Sequence, residues 1–299
     1  MFQTEIINDF RIRPLNIKND NENWNGKDVF GGRKYWNLAL LSKTGSGKTT
    51  VIFNLIKKFR DKHTIFLLFG STLQIDPTWK KIIEWIDDQG NEYIAEPHFL
   101  EGKEDYIKDW MHEYSHAYDD QYESEEEQKK EMARTEVEKI KVQLDPHAPC
   151  LAIFAGREVP KACKESKEIK KEKKKMEEHQ KKLNFIIVLD DLSKDLRHDT
   201  IETLLKKSRH YHARVILSSQ TLKDLKPSAH SQIYALCLFK GLPEADIEYL
   251  FDRYAMWLGI DRFKEIYQKV IDEKKYNFLT VLPFENELRK NLNEKIVLS

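Results

Sequence analysis

The stretch "NLALLSKTGSGKTTVIFNLI" (Asn37–Ile56) decides how the rest of the chain is read. Upstream of the glycines, Trp36–Leu41 is an apolar run of strand length. Downstream, Val51, Ile52, Leu55, Ile56 and Phe59 recur at helical spacing on one face. The linking "SKTGSGKT" fits the pattern G-x-x-x-x-G-K-[S/T], with Ser42 in place of the first glycine. A strand, a glycine-containing loop and a helix N-terminus together make a concave anion site built from backbone N–H groups. Gly45 and Gly47 let the backbone wrap a phosphate with no Cβ in the way. Lys48 is placed to reach the β- and γ-phosphates, and the Thr49 hydroxyl to sit on Mg²⁺. The candidate cradle is therefore Ser42, Lys43, Thr44, Gly45, Ser46, Gly47, Lys48, Thr49 and Thr50. Serine tolerates positive φ poorly, so Ser42 is expected at φ below zero.

The rest of the 299 residues bounds the answer. The chain is 40% hydrophobic, enough for a real core, and 33% charged, which implies a long solvated segment. Its net charge is zero, so any contact with nucleic acid has to come from local patches. Cys150, Cys163 and Cys237 lie far apart, which argues against a zinc site or a disulfide framework and fits a reducing compartment. No apolar run approaches the ~20 residues that span a bilayer, and the N-terminus lacks a signal-peptide core. A soluble intracellular protein with no membrane partner is expected.

Further strands are expected at Thr64–Phe69, Asn184–Leu189, Ala213–Ser219, Ile233–Phe239 and Phe278–Leu282, with a less distinct one at Cys150–Phe154. Near-continuous apolar strands separated by helices imply an α/β fold with a mostly parallel sheet covered on both faces. Acid-rich Asp119–Glu138 and lysine-rich Lys161–Lys182 flank the breaker "DPHAP" (Asp145–Pro149). Both arms use strong helix formers, and their opposite charges predict an inserted helical hairpin; the alternative is a partly disordered charged insertion. The expected division is 1–99 and 184–299 for the two parts of the core, with 100–183 as the insertion.

A phosphate-binding loop needs a carboxylate for Mg²⁺ at another strand end. "NFIIVLDDL" supplies Asp190 for the metal, and Asp191 to orient or deprotonate an attacking water. Gln220, directly after "ARVILSS", is a candidate sensor of the γ-phosphate.

Taken together, "SKTGSGKTT", "STLQIDPTW", "IIVLDDL", "SRHYHARVILSSQ" and "FLTVLPFENELRKNL" resemble the viral DNA-packaging ATPases of the poxvirus type, in the FtsK–HerA superfamily of P-loop motors. The resemblance covers most of the chain outside roughly 100–183. It implies a RecA-like P-loop NTPase in which "ARVILSS" lies between the loop's strand and the Asp190 strand. It also implies ATP and Mg²⁺ as cofactors, double-stranded DNA as partner and a ring of identical subunits. A capsid or portal-vertex protein would be a further partner, in the host cytoplasm, a viral factory or the virion. An arginine would complete the neighbour's site, with Arg209 first and Arg214 and Arg253 behind it. The charged insertion is not part of the family pattern. Lys223, Lys226 and His230, after Gln220, are candidates for gripping the DNA backbone, with the lysine arm as a rival surface.

Competing functions are a HerA-like or conjugation-type pump or helicase, a non-motor nucleotide switch, and an inactive scaffold. No N-K-x-D guanine motif is present, and intact Lys48, Thr49, Asp190 and Asp191 argue against a scaffold.

Overall fold

The computed structural model describes residues 24–31, 33–43, 45–101, 104–114 and 183–298. The charged arms, "DPHAP" and Cys150–Phe154 lie outside the described residues.

Strand β1 (Asn37–Leu41) has every residue buried. Its side chains alternate between two cores, with Leu38 and Leu40 on one face and Ala39 and Leu41 on the other. β6 (Asn184–Asp190) repeats the pattern: Phe185, Ile187 and Leu189 enter one core, Ile186 and Val188 the other. This two-sided burial is why these runs are apolar throughout rather than alternating.

The other strands of the main sheet are β2 (Thr64–Gly70), β3 (Tyr93–Glu96), β7 (Ala213–Ser219), β8 (Ala235–Phe239), β9 (Phe278–Leu282), β10 (Glu287–Lys290) and β11 (Glu294–Lys295). The order is β11-β10-β9-β8-β1-β7-β6-β2-β3. From β8 to β3 the pairing is parallel. β7 lies between β1 and β6, as the family resemblance implied. β9, β10 and β11 add antiparallel strands, the β9–β10 turn closing through Asn286 at φ 49°. The mostly parallel α/β architecture is that of a RecA-like P-loop NTPase.

Helix α1 (Lys27–Phe30) precedes β1, and α2 (Lys48–Phe59) follows it, burying Ile52, Leu55, Ile56 and Phe59 against one face of the sheet. α3 (Pro77–Asp88) starts with Pro77 in its first turn and Asp76 as its cap, whose Oδ1 accepts from the Thr78 N–H at 2.7 Å. A two-stranded hairpin, β4 (Leu100–Glu101) and β5 (Glu104–Asp105), leads into helix α4 over 106–114. Ile107 and Met111 on that helix are buried in the core on the other face, with Trp110 edge-on to Phe185 at 4.8 Å. Residues 104–114 are thus packed on the core, although the expected insertion starts at residue 100. Helices Glu244–Tyr254 and Ile260–Glu273 cover the same face. Among the described residues, no helix is long and apolar enough to cross a membrane.

Candidate nucleotide site

The loop after β1 is pinned from both sides. The Ser42 N–H donates to the Ser219 carbonyl at 3.1 Å, and the Ser46 hydroxyl donates to Ser42 Oγ at 2.6 Å across the loop. Ser42 is fully buried, and its φ is not positive, as expected from its side chain. Gly45 and Gly47 are at φ 79° and 94°. A Cβ on Gly45 would meet nothing within 4 Å, so that backbone faces open space. Gly47 is the N-cap of α2, directing the helix N-terminus at the same space.

This space is a cavity of about 650 Å³, walled by Gly45 to Val51, Thr72, Asp76, Thr78, Asp190, Asp191 and Tyr276. Lys48 is buried, and its Nζ donates to Asp191 Oδ1 at 2.7 Å. Residues 143 positions apart in the chain therefore meet at one wall, as the two motifs require. Asp191 follows β6 at φ 50°, a turn that aims it at the loop.

Asp190 is held differently. It is 3% exposed, and its Oδ2 accepts the Trp79 indole N–H at 2.9 Å. Burial pushes its carboxyl above the ordinary carboxylate range, and the Asp191 charge adds to the rise. The Ser218 hydroxyl, the Trp79 N–H and the Lys48 charge favour the ionised form. Ser218 is Asp190's register partner on β7, yet Ser218 Oγ and Asp190 Oδ1 both lie buried without a well-formed hydrogen bond. A buried carboxylate oxygen with no partner, on the wall of a cavity that also holds Thr49, is the donor set a hard cation takes. The residues present thus fit a Mg²⁺–triphosphate.

Other sequence candidates fall elsewhere. Gln220 stands at the same sheet edge, but it is exposed and not part of the cavity wall. Thr50 is on the wall, Lys43 is exposed beside the loop, and Thr44 lies outside the described residues. Arg209 precedes β7, at the sheet edge opposite the loop. It lines a different cavity of about 450 Å³ with Arg33, Lys34, Tyr234 and Arg289, so it does not enter its own chain's site. Arg214 is not available as a finger: it is 1% exposed, with Nε donating to the Lys34 carbonyl at 2.9 Å and an Nη to that of Phe59 at 3.0 Å. Arg253 is exposed and lies over the Tyr249 ring at 4.8 Å. His230 is 2% exposed and packs against the Leu222 and Leu225 carbonyls, which removes it as a DNA contact. Lys223 pairs with Asp246 at 2.8 Å, and Lys226 with Asp199.

Trp79, buried behind the wall, and Tyr276, on it, are among the site residues given no role from the sequence. Trp79 ends the quoted "STLQIDPTW", so the motif was visible but its hydrogen bond to Asp190 was not. Tyr276, between the helix Ile260–Glu273 and β9, carries no sequence signal.

Among solved structures, the genome packaging NTPase B204 of Sulfolobus turreted icosahedral virus 2 in complex with ATP-gammaS is 13% identical, with a TM-score of 0.45 over 87% of this chain and 98% of that one. The AMP complex gives 13% and 0.47 over 89% and 100%. VirB4 of Thermoanaerobacter pseudethanolicus gives 14% and 0.36 over 88% and 89%. At these scores the likeness carries no argument. No curated protein matches. The family described as poxvirus A32 protein matches residues 160–279, which bears out the poxvirus-type resemblance of the second half. The KAP family P-loop domain matches residues 38–213, more than half of the chain and including both the Lys48 loop and the Asp190–Asp191 strand end, and the chain belongs to that family of P-loop NTPases.

Proposed function

We propose that the chain is an ATP-driven motor that moves double-stranded DNA, packaging a viral genome into a preformed capsid. The observation that carries the reading is the convergence of Lys48, Asp191 and Asp190 on one cavity wall. The poxvirus A32 match over the second half favours the packaging role over a conjugation-type pump.

In this reading the Lys48–Asp191 pair is the resting arrangement. A triphosphate on the loop draws Lys48 to its β- and γ-oxygens, because it brings more negative charge than one carboxylate. Asp191 is then free to orient a water and accept its proton. Thr49 and Asp190 would hold Mg²⁺, with Trp79 fixing the Asp190 carboxyl plane. When bound, Mg²⁺ neutralises charge on the phosphate oxygens. Gln220 reports the γ-phosphate to the segment that follows it, and Arg209 of one subunit completes the site of its neighbour in a ring. A capsid or portal-vertex protein is the docking partner.

The test is ATP turnover with and without long duplex DNA, at concentrations that allow ring assembly. Hydrolysis stimulated by DNA, and lost in Asp191→Asn while ATP binding is retained, supports the motor. Turnover indifferent to DNA at every concentration would overturn it.

A further inference from the structure

A second cavity, of about 370 Å³, adjoins the phosphate cavity on the β8 side and shares Gly45, Ser46 and Tyr276 with it. Tyr276 is the partition between the two. It is 56% exposed and held at φ 73°, a conformation a bulky side chain rarely adopts. Its ring lies so close to the loop that a Cβ on Gly47 would come within 3.2 Å of its Cδ1. Lys275 Nζ sits 4.8 Å from the ring centroid, and among the described residues no other aromatic ring stacks on it. On the far wall Asn277 is 9% exposed. Its Oδ1 accepts from Asn291 at 3.4 Å, while its Nδ2 is buried without a partner. An orphaned amide donor beside a cavity is a group awaiting an acceptor.

We propose that Tyr276 and this second cavity bind the base and ribose of the nucleotide, and that the base is read by stacking rather than by its edge. The inference rests on the phosphate-site reading above. The geometry has the order a nucleotide needs: a phosphate cradle, then an aromatic face at its rim, then a pocket lined by the Asn277 amide and by Lys43, Lys274 and Lys275. Adenine and guanine both offer ring-nitrogen acceptors to such donors and both offer a two-ring face to tyrosine. Telling them apart requires a group fixed at position 6, where adenine donates and guanine accepts, or an acid at the guanine N–H groups. Asp272, the acid on this wall, is already engaged by Lys240 at 2.7 Å and by Gln268. The pocket therefore selects purine over pyrimidine by stacking area and separates the two purines little.

The test is direct binding of ATP, GTP, CTP and inorganic tripolyphosphate to the full chain and its variants. Tyr276→Ala is expected to weaken ATP and GTP about tenfold and to leave tripolyphosphate unchanged. Tyr276→Phe keeps the parent affinities. Tyr276→Asn, which removes the ring but tolerates positive φ, repeats the loss in a chain whose turn is relaxed. ATP affinity unchanged in both ring-removing variants, or tripolyphosphate lost equally with ATP, would overturn the inference, as would a preference between ATP and GTP of ~100-fold or more. Lys48→Ala separates the two readings. It should lose ATP and tripolyphosphate together, and binding of both at parental affinity would remove the phosphate site itself.

Discussion

Lys48 and Arg214 are both buried cations at the ends of adjacent parallel strands, and they are held in opposite ways. Arg214, where β7 begins, donates to two backbone carbonyls that cannot move without unfolding the region, and it lies among the rings of Trp24, Tyr35 and Phe59. Lys48, just past the C-terminal end of β1, has a single carboxylate partner that is 31% exposed on a cavity wall. A charge satisfied by fixed neutral carbonyls is committed to the fold. A charge satisfied by one exchangeable acid is available to a stronger anion. One edge of the sheet holds its cation with fixed carbonyls and the other with one exchangeable acid, and in the proposed reading the second is the working edge.

The sharpest way to break that comparison is to remove each cation. Lys48→Ala should lower turnover on the order of 10²–10³-fold while the melting temperature moves little, because Asp191 already reaches water. Steady-state hydrolysis and thermal melting, measured on one preparation, check both halves. Arg214→Ala should do the reverse. It leaves the Lys34 and Phe59 carbonyls without their donor, at a cost of roughly 3 kcal/mol, with turnover per folded molecule kept. Urea titration reads the first effect. A folded Arg214→Ala chain without activity would place that arginine in the reaction after all.

Asp190 tests the working edge through pH. Its folded pKa is raised by burial above the unfolded value, so the folded state binds the proton more readily. The stability this contributes is full below the unfolded pKa and is lost as pH rises through the folded one. Asp190→Asn should therefore melt higher than the parent at pH 8, with the gap closing toward pH 4, while losing hydrolysis. A gap that widened on acidification would mean the carboxylate is stabilised as an anion. Ser42→Gly is the smallest change. It deletes the 2.6 Å link to Ser46 and should shift ATP affinity by no more than about fivefold, given the ~1 kcal/mol net value of such a bond. A large gain by titration would show that serine compromises the loop.

Much of this was legible in the chain. The strands around β1, β6 and β7 announce themselves because burial on both faces demands uninterrupted apolar residues. The loop is legible because wrapping an anion requires glycines at fixed offsets from a lysine. Even the φ of Ser42 followed from its side chain. The gripping role of His230 failed for a reason no spacing reveals: an exposed-looking loop folds its histidine against its own carbonyls. Arg214 failed likewise, since an arginine opening a strand looks the same whether it faces solvent or the core. The packing of residues 104–114 was also unreadable. Ile107 and Met111 sit in a polar stretch and join the core on a helix whose Trp110 and Tyr114 pack on Phe185 and whose Tyr106 packs on Phe69.

The sequence by itself determined which residues are the candidates for chemistry: a lysine and a threonine behind two glycines, and two acids ending an apolar strand. Local rules suffice there, because the backbone geometry of a strand end or a glycine loop is set by its nearest neighbours. Tertiary structure alone decided which of the two acids meets Lys48, that Trp79 holds the other, and that Tyr276 closes the rim. Those contacts join segments distant in the chain, and only the packing of helices on a shared sheet brings them within hydrogen-bond reach.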